Sequence, residues 1–258
     1  MKIRTIIIII LFLLLPHNVT VQGQDIYNVK KTITFPSEDS LAITADSYIA
    51  HNLTAPFIIL FHQAGWSRGE YKEIAPILNS MGFNCIAIDQ RSGDKINNVL
   101  NQTHKRAVIK NKSTAYLDAY KDMIASLKFV KDKFAKGKII IWGSSYSAAL
   151  VFKLAAEHQN LINGVLAFSP GEYFVRFGKS KTFIADFAKT ITLPVFITSA
   201  HNEKENWINI YKSLPSEKKQ YFVPQTNGNH GSRALWKKFD DSKDYWKAVS
   251  KFLKEYFL

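Results

Sequence analysis

Short runs of consecutive apolar residues alternate along this chain with stretches in which apolar residues recur every three or four positions. The continuous runs are "APFIILFH", "FNCIAID", "KIIIW", "INGVLAFSP" and "LPVFITSA". Each is too short for a typical helix and apolar throughout, which predicts a strand buried on both faces. After the first run, Tyr71, Ile74, Ile77, Leu78 and Met81 fall at helical spacing, with Gly82 as the stop. A second helix is predicted from Thr114, carried by Leu117, Tyr120, Ile124, Leu127, Val130 and Phe134 and ending near Gly137. "YSAALVFKLAAEH" supplies a third directly behind "KIIIW", and Trp246, Val249, Leu253 and Phe257 share roughly one face of a closing amphipathic helix. Upstream, "NVKKTITFP" and "LAITADSYIA" alternate as two antiparallel strands would. The polar, basic stretch Ser92 to Lys112 reads as a long loop with room for a short helix. Buried strands alternating with helices predict an α/β fold, a mostly parallel sheet covered on both faces. In such sheets function gathers at the carboxyl ends of the strands.

The first residues stand apart from this pattern. Lys2 and Arg4 precede an apolar run from Ile6 to Leu15, which Pro16 breaks. That run is too short to cross a bilayer but suits the core of a secretory signal. Val21 and Gly23 are small enough for positions −3 and −1 of a cleavage site. We therefore expect a signal peptide over residues 1–23 and one mature domain over 24–258, secreted or periplasmic, with no stable membrane span after cleavage. An uncleaved membrane anchor is the alternative. No internal repeat or low-complexity linker divides the rest.

Composition adds constraints but no chemistry. The 34 basic and 21 acidic residues give a net charge of +13, which could favour anionic partners. The lysines are spread along the chain without a nucleic-acid motif, so a solvated surface is the simpler reading and no nucleic-acid partner is expected. Cys85 is the only cysteine, which excludes an intramolecular disulfide; in "FNCIAID" it reads as a small buried hydrophobe. There is no H-E-x-x-H, no ligand spacing among the histidines and no dinucleotide or P-loop glycine pattern. No metal or cofactor is expected.

The rule of strand ends points to Gly143-Ser144-Ser145-Tyr146-Ser147, set between a strand and a helix with no room for a relaxed loop. A nucleophile in so sharp a turn needs small residues two positions before and after it, the G-x-S-x-G elbow. Gly143 and Ser145 fit, and Ser147 replaces the final glycine. Ser144 would then point into the sheet packing. By itself the stretch could equally be a polar turn. A serine nucleophile needs a base, and the base needs an orienting acid. His230 in "NGNHGSRAL" is the candidate base, and Glu203, three residues past a predicted strand ending at Ala200, the candidate acid. Oxyanion donors are expected from the backbone of Tyr146 and of Ala64, with Gln63 second. His62 ends its strand and is expected to shape that loop. Trp66, Tyr146, Tyr173, Phe174 and Trp207 flank these strand ends and could line a substrate pocket, or simply be core.

The order nucleophile, acid, base is that of the α/β-hydrolases. With "FHQAGWSRGEYKEIAPILNSMGFNCIAIDQRSGD", "GSSYS", "PVFITSAHNE" and "NHGSRAL", the chain resembles that superfamily in its small, dienelactone-hydrolase-like or esterase branch, over roughly Tyr27 to Leu258. "DQRSG" resembles the superfamily's D-x-R-G-x-G and is expected to be structural. The resemblance implies an α/β-hydrolase fold with a small cap between Gly171 and Thr192. It also implies a serine hydrolase acting on a small-molecule ester through a Ser145–His230–Glu203 triad, with a peptidase or an inactive binding protein as rivals. Because some members of the superfamily place the acid one strand earlier, Glu172, after "FSPG", is the fallback acid. Departures are Gln63 and Ser147 where glycine is usual and Glu203 where aspartate is commoner.

Overall fold

The computed structural model describes residues 30–258. The expected signal peptide over residues 1–23, and the start of the mature domain at Gln24, lie outside the described residues. Strands β1 (Lys31–Pro36) and β2 (Ala42–Tyr48) form an antiparallel pair that opens the sheet. The five apolar runs become β3 (Phe57–Phe61), β4 (Asn84–Ile88), β7 (Ile139–Ser144), β8 (Gly164–Phe168) and β9 (Val195–Thr198). β10 (Lys219–Phe222) adds an edge strand, giving the order β1-β2-β4-β3-β7-β8-β9-β10. From β4 to β10 all neighbours are parallel, and β2 joins β4 antiparallel. The Ser92–Lys112 stretch holds a hairpin of two-residue strands, β5 (Lys95–Ile96) and β6 (Val99–Leu100), and the helix α2 (Gln102–Ile109).

Alternation along each strand sorts the core into two layers. Phe57, Ile59, Phe61, Ile139 and Ile141 pack with α3 (Tyr120–Lys133), α4 (Tyr146–Glu157), α5 (Phe183–Ala188) and α6 (Lys204–Ser213). Ile58, Leu60, Ile140 and Trp142 face the other way, onto α1 (Ile74–Ser80) and α7 (Ser242–Phe257). Burial on both faces is why these strands are apolar without a break. α3 begins at Tyr120, later than the periodicity from Thr114 suggests, because residues 116–119 form a turn ahead of it. Neither β10 nor α6 was anticipated. β10 is an edge strand whose sequence KQYF is mostly half-buried or exposed, so it lacks the apolar signature. Cys85 is fully buried, as its surroundings suggest.

Two buried arginines anchor the carboxyl ends. Arg91 of "DQRSG" donates to Asp122 and Asp39, and Arg68 pairs with Asp89 and Asp46. Residues 171–192 form a short 3₁₀ turn at Val175–Phe177 and α5, a small cap. Among the described residues no helix is long and apolar enough to cross a membrane.

α7 closes against the amino end of β8 at one close approach. A Cβ placed on Gly164 would lie 2.1 Å from the Phe257 ring. Gly164→Ala should therefore lower the unfolding free energy by about 1–3 kcal/mol in a urea titration. The loss should shrink in a Phe257→Leu background, as a double-mutant cycle would show. An undiminished loss would place the strain elsewhere.

Candidate active site

β7 ends at Ser144 and α4 begins at Tyr146, so the chain reverses through a single residue. Ser145 takes φ 57° and ψ −120°, a conformation that L-residues rarely adopt and that costs on the order of 1–3 kcal/mol. Its N–H is held by the Phe168 carbonyl of the neighbouring β8 at 2.8 Å. Gly143 is required by space: a Cβ there would lie 2.4 Å from the Ser147 carbonyl oxygen. Ser144 and Ser147 are fully buried, whereas Ser145 is partly exposed. The three serines are thus separated by geometry. Ser144 donates to Glu70, Ser147 donates to the His62 carbonyl, and Ser145 lines a cavity of about 380 Å³.

The same cavity is lined by Ala64, Tyr116, Tyr146, Tyr173, Arg176 and His230. His230 Nδ1 lies 2.5 Å from Glu203 Oε1, which leaves Nε2 as the ring nitrogen without a partner among the described residues. Burial acts to raise the Glu203 carboxyl, but hydrogen bonds from His230 and Ser169 outweigh it and hold it below the usual glutamate range. Glu203 is therefore a fixed anion beside the imidazole. Ser145 and His230 share the cavity without a hydrogen bond between them, a looseness common in unliganded sites. Glu172 does not approach His230. Its carboxylate accepts the backbone N–H groups of Ile184 and Ala185 at the start of α5.

The β3–α1 loop is fixed from below. The Gln63 N–H donates to Glu70 Oε2 at 2.8 Å, so it is not free to face an oxyanion. Among the described residues the N–H groups of Ala64 and Tyr146 have no acceptor, and both sit on residues that line the cavity. His62 is buried, which depresses its pKa to about 4. Its Nε2 accepts the Gln90 N–H at 3.0 Å, so Nδ1 carries the proton and donates to the Gln63 carbonyl at 2.7 Å. His62 is a neutral strut for the loop.

Three of the aromatic expectations fail. Trp207 is fully buried in the core, its indole N–H on Ser199 Oγ and its ring against Tyr221. It sits on α6, which turns that side chain under the sheet end and away from the cavity. Trp66 stacks on Trp236 at 5.3 Å and does not line the cavity. Phe174 is core as well, whereas Tyr173 does line the cavity and donates its hydroxyl to the Ser169 carbonyl.

Sequence reading also missed residues that hold the site. Ser169, at φ 55° past β8, donates to Glu203 Oε2 at 2.6 Å and accepts the Gly231 N–H at 2.8 Å. Its place at the carboxyl end of a buried strand was the available signal. Glu70 is fully buried and accepts from Ser144 Oγ and Gln63 N–H, while Ser144 Oγ accepts from Ser232 N–H. One carboxyl thereby ties the β3 loop, the β7 turn and the His230 loop together. Gly231 is confined by the same cluster, since a Cβ would lie 2.5 Å from Ser144 Oγ. Tyr116 and Arg176 line the cavity from a turn and from the cap. No motif marked them.

A larger surface cavity, about 430 Å³, lies between the end of β10 and α7 and is lined by Pro224, Asp244 and Lys251 among others. It contains no serine or histidine, so we place the chemistry in the smaller one. Among the described residues no group of three His, Cys, Asp or Glu could hold a metal ion.

Comparison with known proteins agrees with this architecture. Residues 54–175 match the model of the serine aminopeptidase family S33, a segment that contains Ala64 and Ser145 but ends before Glu203 and His230. No curated protein matches the chain. Among solved structures, the Pyrococcus furiosus esterase Pf2001 is similar, with 18% identity and a TM-score of 0.67 over 90% of this chain and 94% of that one. A dienelactone hydrolase from Anabaena variabilis has 10% identity and a TM-score of 0.68, over 90% of this chain and 100% of that one. Est1E from Butyrivibrio proteoclasticus has 14% identity and a TM-score of 0.66, over 87% and 98%. The chain has the α/β-hydrolase fold.

Glu70 gives this network a pH dependence. Burial is the largest influence on it and pushes its carboxyl up to about 7, from an ordinary 4.5, against the hydrogen bonds from Ser144 and Gln63. A carboxyl raised on folding keeps its proton in the folded state. That stability is complete below about pH 4.5 and lost as the pH rises through about 7. Across this window the wild type should lose on the order of 3 kcal/mol relative to Glu70→Gln, measured by denaturant unfolding. Parallel curves for the two proteins would mean that Glu70 titrates normally.

Proposed function

We propose that this protein is an exported serine hydrolase that cleaves carboxylic esters through an acyl-enzyme. The observation that carries the reading is the strained turn presenting Ser145 to a cavity shared with His230, whose other ring nitrogen is bound to Glu203. Ser145 Oγ attacks the ester carbonyl while His230 Nε2 takes its proton. Glu203 holds the imidazole in the productive tautomer and offsets its positive charge. The oxyanion is met by the N–H groups of Ala64 and Tyr146. His230 returns the proton to the departing alcohol, then takes one from water, and the hydroxide releases the acid and frees Ser145. The cavity volume and the short cap suit a small acyl group. The apolar run behind Lys2 and Arg4 supports export.

A peptidase reading has one observation in its favour, the match of residues 54–175 to the serine aminopeptidase model. An aminopeptidase must receive the substrate's α-ammonium group. The cavity presents the guanidinium of Arg176 and no lining carboxylate, which favours the ester reading.

A fluorophosphonate should label Ser145 and no other serine, as peptide mass spectrometry would show. Ser145→Ala should lower kcat/KM for 4-nitrophenyl butyrate by at least about 10³-fold, and Glu203→Gln by about 10³- to 10⁴-fold. Failure to label Ser145 in the folded protein would sink the hydrolase reading. Faster cleavage of aminoacyl 4-nitroanilides than of 4-nitrophenyl esters would favour the peptidase.

A further inference from the structure

We infer that Glu70, a fully buried carboxyl that does not line the cavity, is a positioning residue of the reaction: it aims the Ala64 N–H at the oxyanion and holds the His230 loop in register with it. The inference rests on the hydrolase reading above and adds to it a role for an acid outside the triad.

The aim of a backbone N–H is set by its peptide unit, and the unit that carries the Ala64 N–H also carries the Gln63 carbonyl. In a trans peptide these two groups point in opposite directions. The Gln63 carbonyl accepts His62 Nδ1–H at 2.7 Å and the Trp66 N–H at 3.3 Å. The Ala64 N–H is thereby turned away from both, on a residue that lines the cavity. The preceding peptide unit is fixed as well, by the bond from the Gln63 N–H to Glu70 Oε2 at 2.8 Å. With both units held, the donor cannot swing. Glu70 acts on it from one residue away.

The other carboxyl oxygen reaches the second half of the site. Ser144 Oγ donates to Glu70 Oε1 at 2.7 Å and accepts the N–H of Ser232, two residues past His230, at 2.9 Å. A hydroxyl has one proton, and Ser144 gives it to Glu70. The Gln63 N–H is likewise a donor. Both oxygens of Glu70 are therefore acceptors, a pattern that a carboxylate fits and an amide, with one oxygen and one NH₂, does not.

Glu70 is suited to be the fixed point. It sits in the 3₁₀ turn Arg68–Tyr71, where the Arg68 N–H is bound to Asp89 and the Tyr71 hydroxyl to the Phe61 carbonyl. The Glu70 carbonyl itself accepts the Trp236 indole N–H at 2.9 Å. An oxyanion donor acts on charge that develops only in the transition state, so an error in its aim costs turnover and not substrate binding.

The test is made at pH 8, above the value of about 7 to which burial raises this carboxyl. Active sites are counted by fluorophosphonate labelling carried to completion, so that only competent molecules enter kcat. Glu70→Gln should lower kcat for 4-nitrophenyl butyrate by about 10- to 100-fold, less than the loss of a whole oxyanion donor, while KM stays within about threefold. Inhibition by an alkyl trifluoromethyl ketone, whose adduct with Ser145 carries the oxyanion, should weaken by the same factor. Inhibition by the corresponding alcohol, which forms no adduct, should hold. Glu70→Asp keeps the charge but shortens the reach, and it carries the same test with the same expected outcome should the amide variant not fold. If labelled sites are lost but each remaining site keeps the wild-type kcat and ketone affinity, Glu70 only stabilises the fold and the inference is overturned. A rise in KM at unchanged kcat overturns it equally. In both cases labelling of wild-type Ser145 leaves the hydrolase reading standing. A wild type that neither labels nor turns over removes that reading, and this inference with it.

Discussion

The chain passes from a strand buried on both faces to a helix packed on the same sheet through one residue, Ser145, and much of the site follows from that reversal. A turn so short forces positive φ at Ser145 and brings Gly143 against the Ser147 backbone. Strain of this kind persists only where its surroundings over-determine it. Here they do. The Ser145 N–H is bound to β8, Ser144 on one side is bound to Glu70, and Ser147 on the other is bound to the His62 carbonyl and the Gln90 amide. Ser145 alone is left facing the cavity.

Those anchors also explain the departures from the usual superfamily pattern. Ser147, where glycine is usual, uses its hydroxyl to join α4 to the end of β3, so the extra atoms add a bond instead of a clash. Gln63 has its N–H on Glu70 and its side chain against Gly231, in a space where the residue after His230 cannot carry a Cβ. The elbow, the β3 loop and the histidine loop are therefore parts of one buried polar cluster under the cavity floor. Glu70 is its centre, and its cost of burial is met by remaining largely protonated below neutral pH. The cavity above has the opposite character. It is aromatic, with one unpartnered cation at its rim from the cap. The floor fixes the geometry of the three loops that meet beneath the cavity.

Most of the sheet was legible because strands buried on both faces must be apolar without interruption, and helices on a sheet must repeat at three or four. β10 escaped because an edge strand needs no such run, and the start of α3 lies later than its periodicity suggests because the turn at residues 116–119 continues the same rhythm. Trp207 illustrates the limit for side chains. Sequence places it four residues past Glu203, near a strand end, but the direction of α6 turns its indole into the core.

The sequence by itself determined the alternation of strands and helices, the small-residue requirement at Gly143, and the order in which Ser145, Glu203 and His230 are met. These depend on spacing along the chain, which sequence records directly. Only the tertiary structure decided that Glu203 and not Glu172 reaches His230, because that depends on which loop folds across β8 and on Ser169 holding both partners. It also decided the two features that no motif announces, the Glu70 cluster beneath the cavity and Arg176 at its rim. Both join residues far apart in the chain, and their meeting is set by the packing of the sheet ends. The cluster Ser144, Ser145 and Ser147 thus resolves into a buried structural pair and one partly exposed hydroxyl.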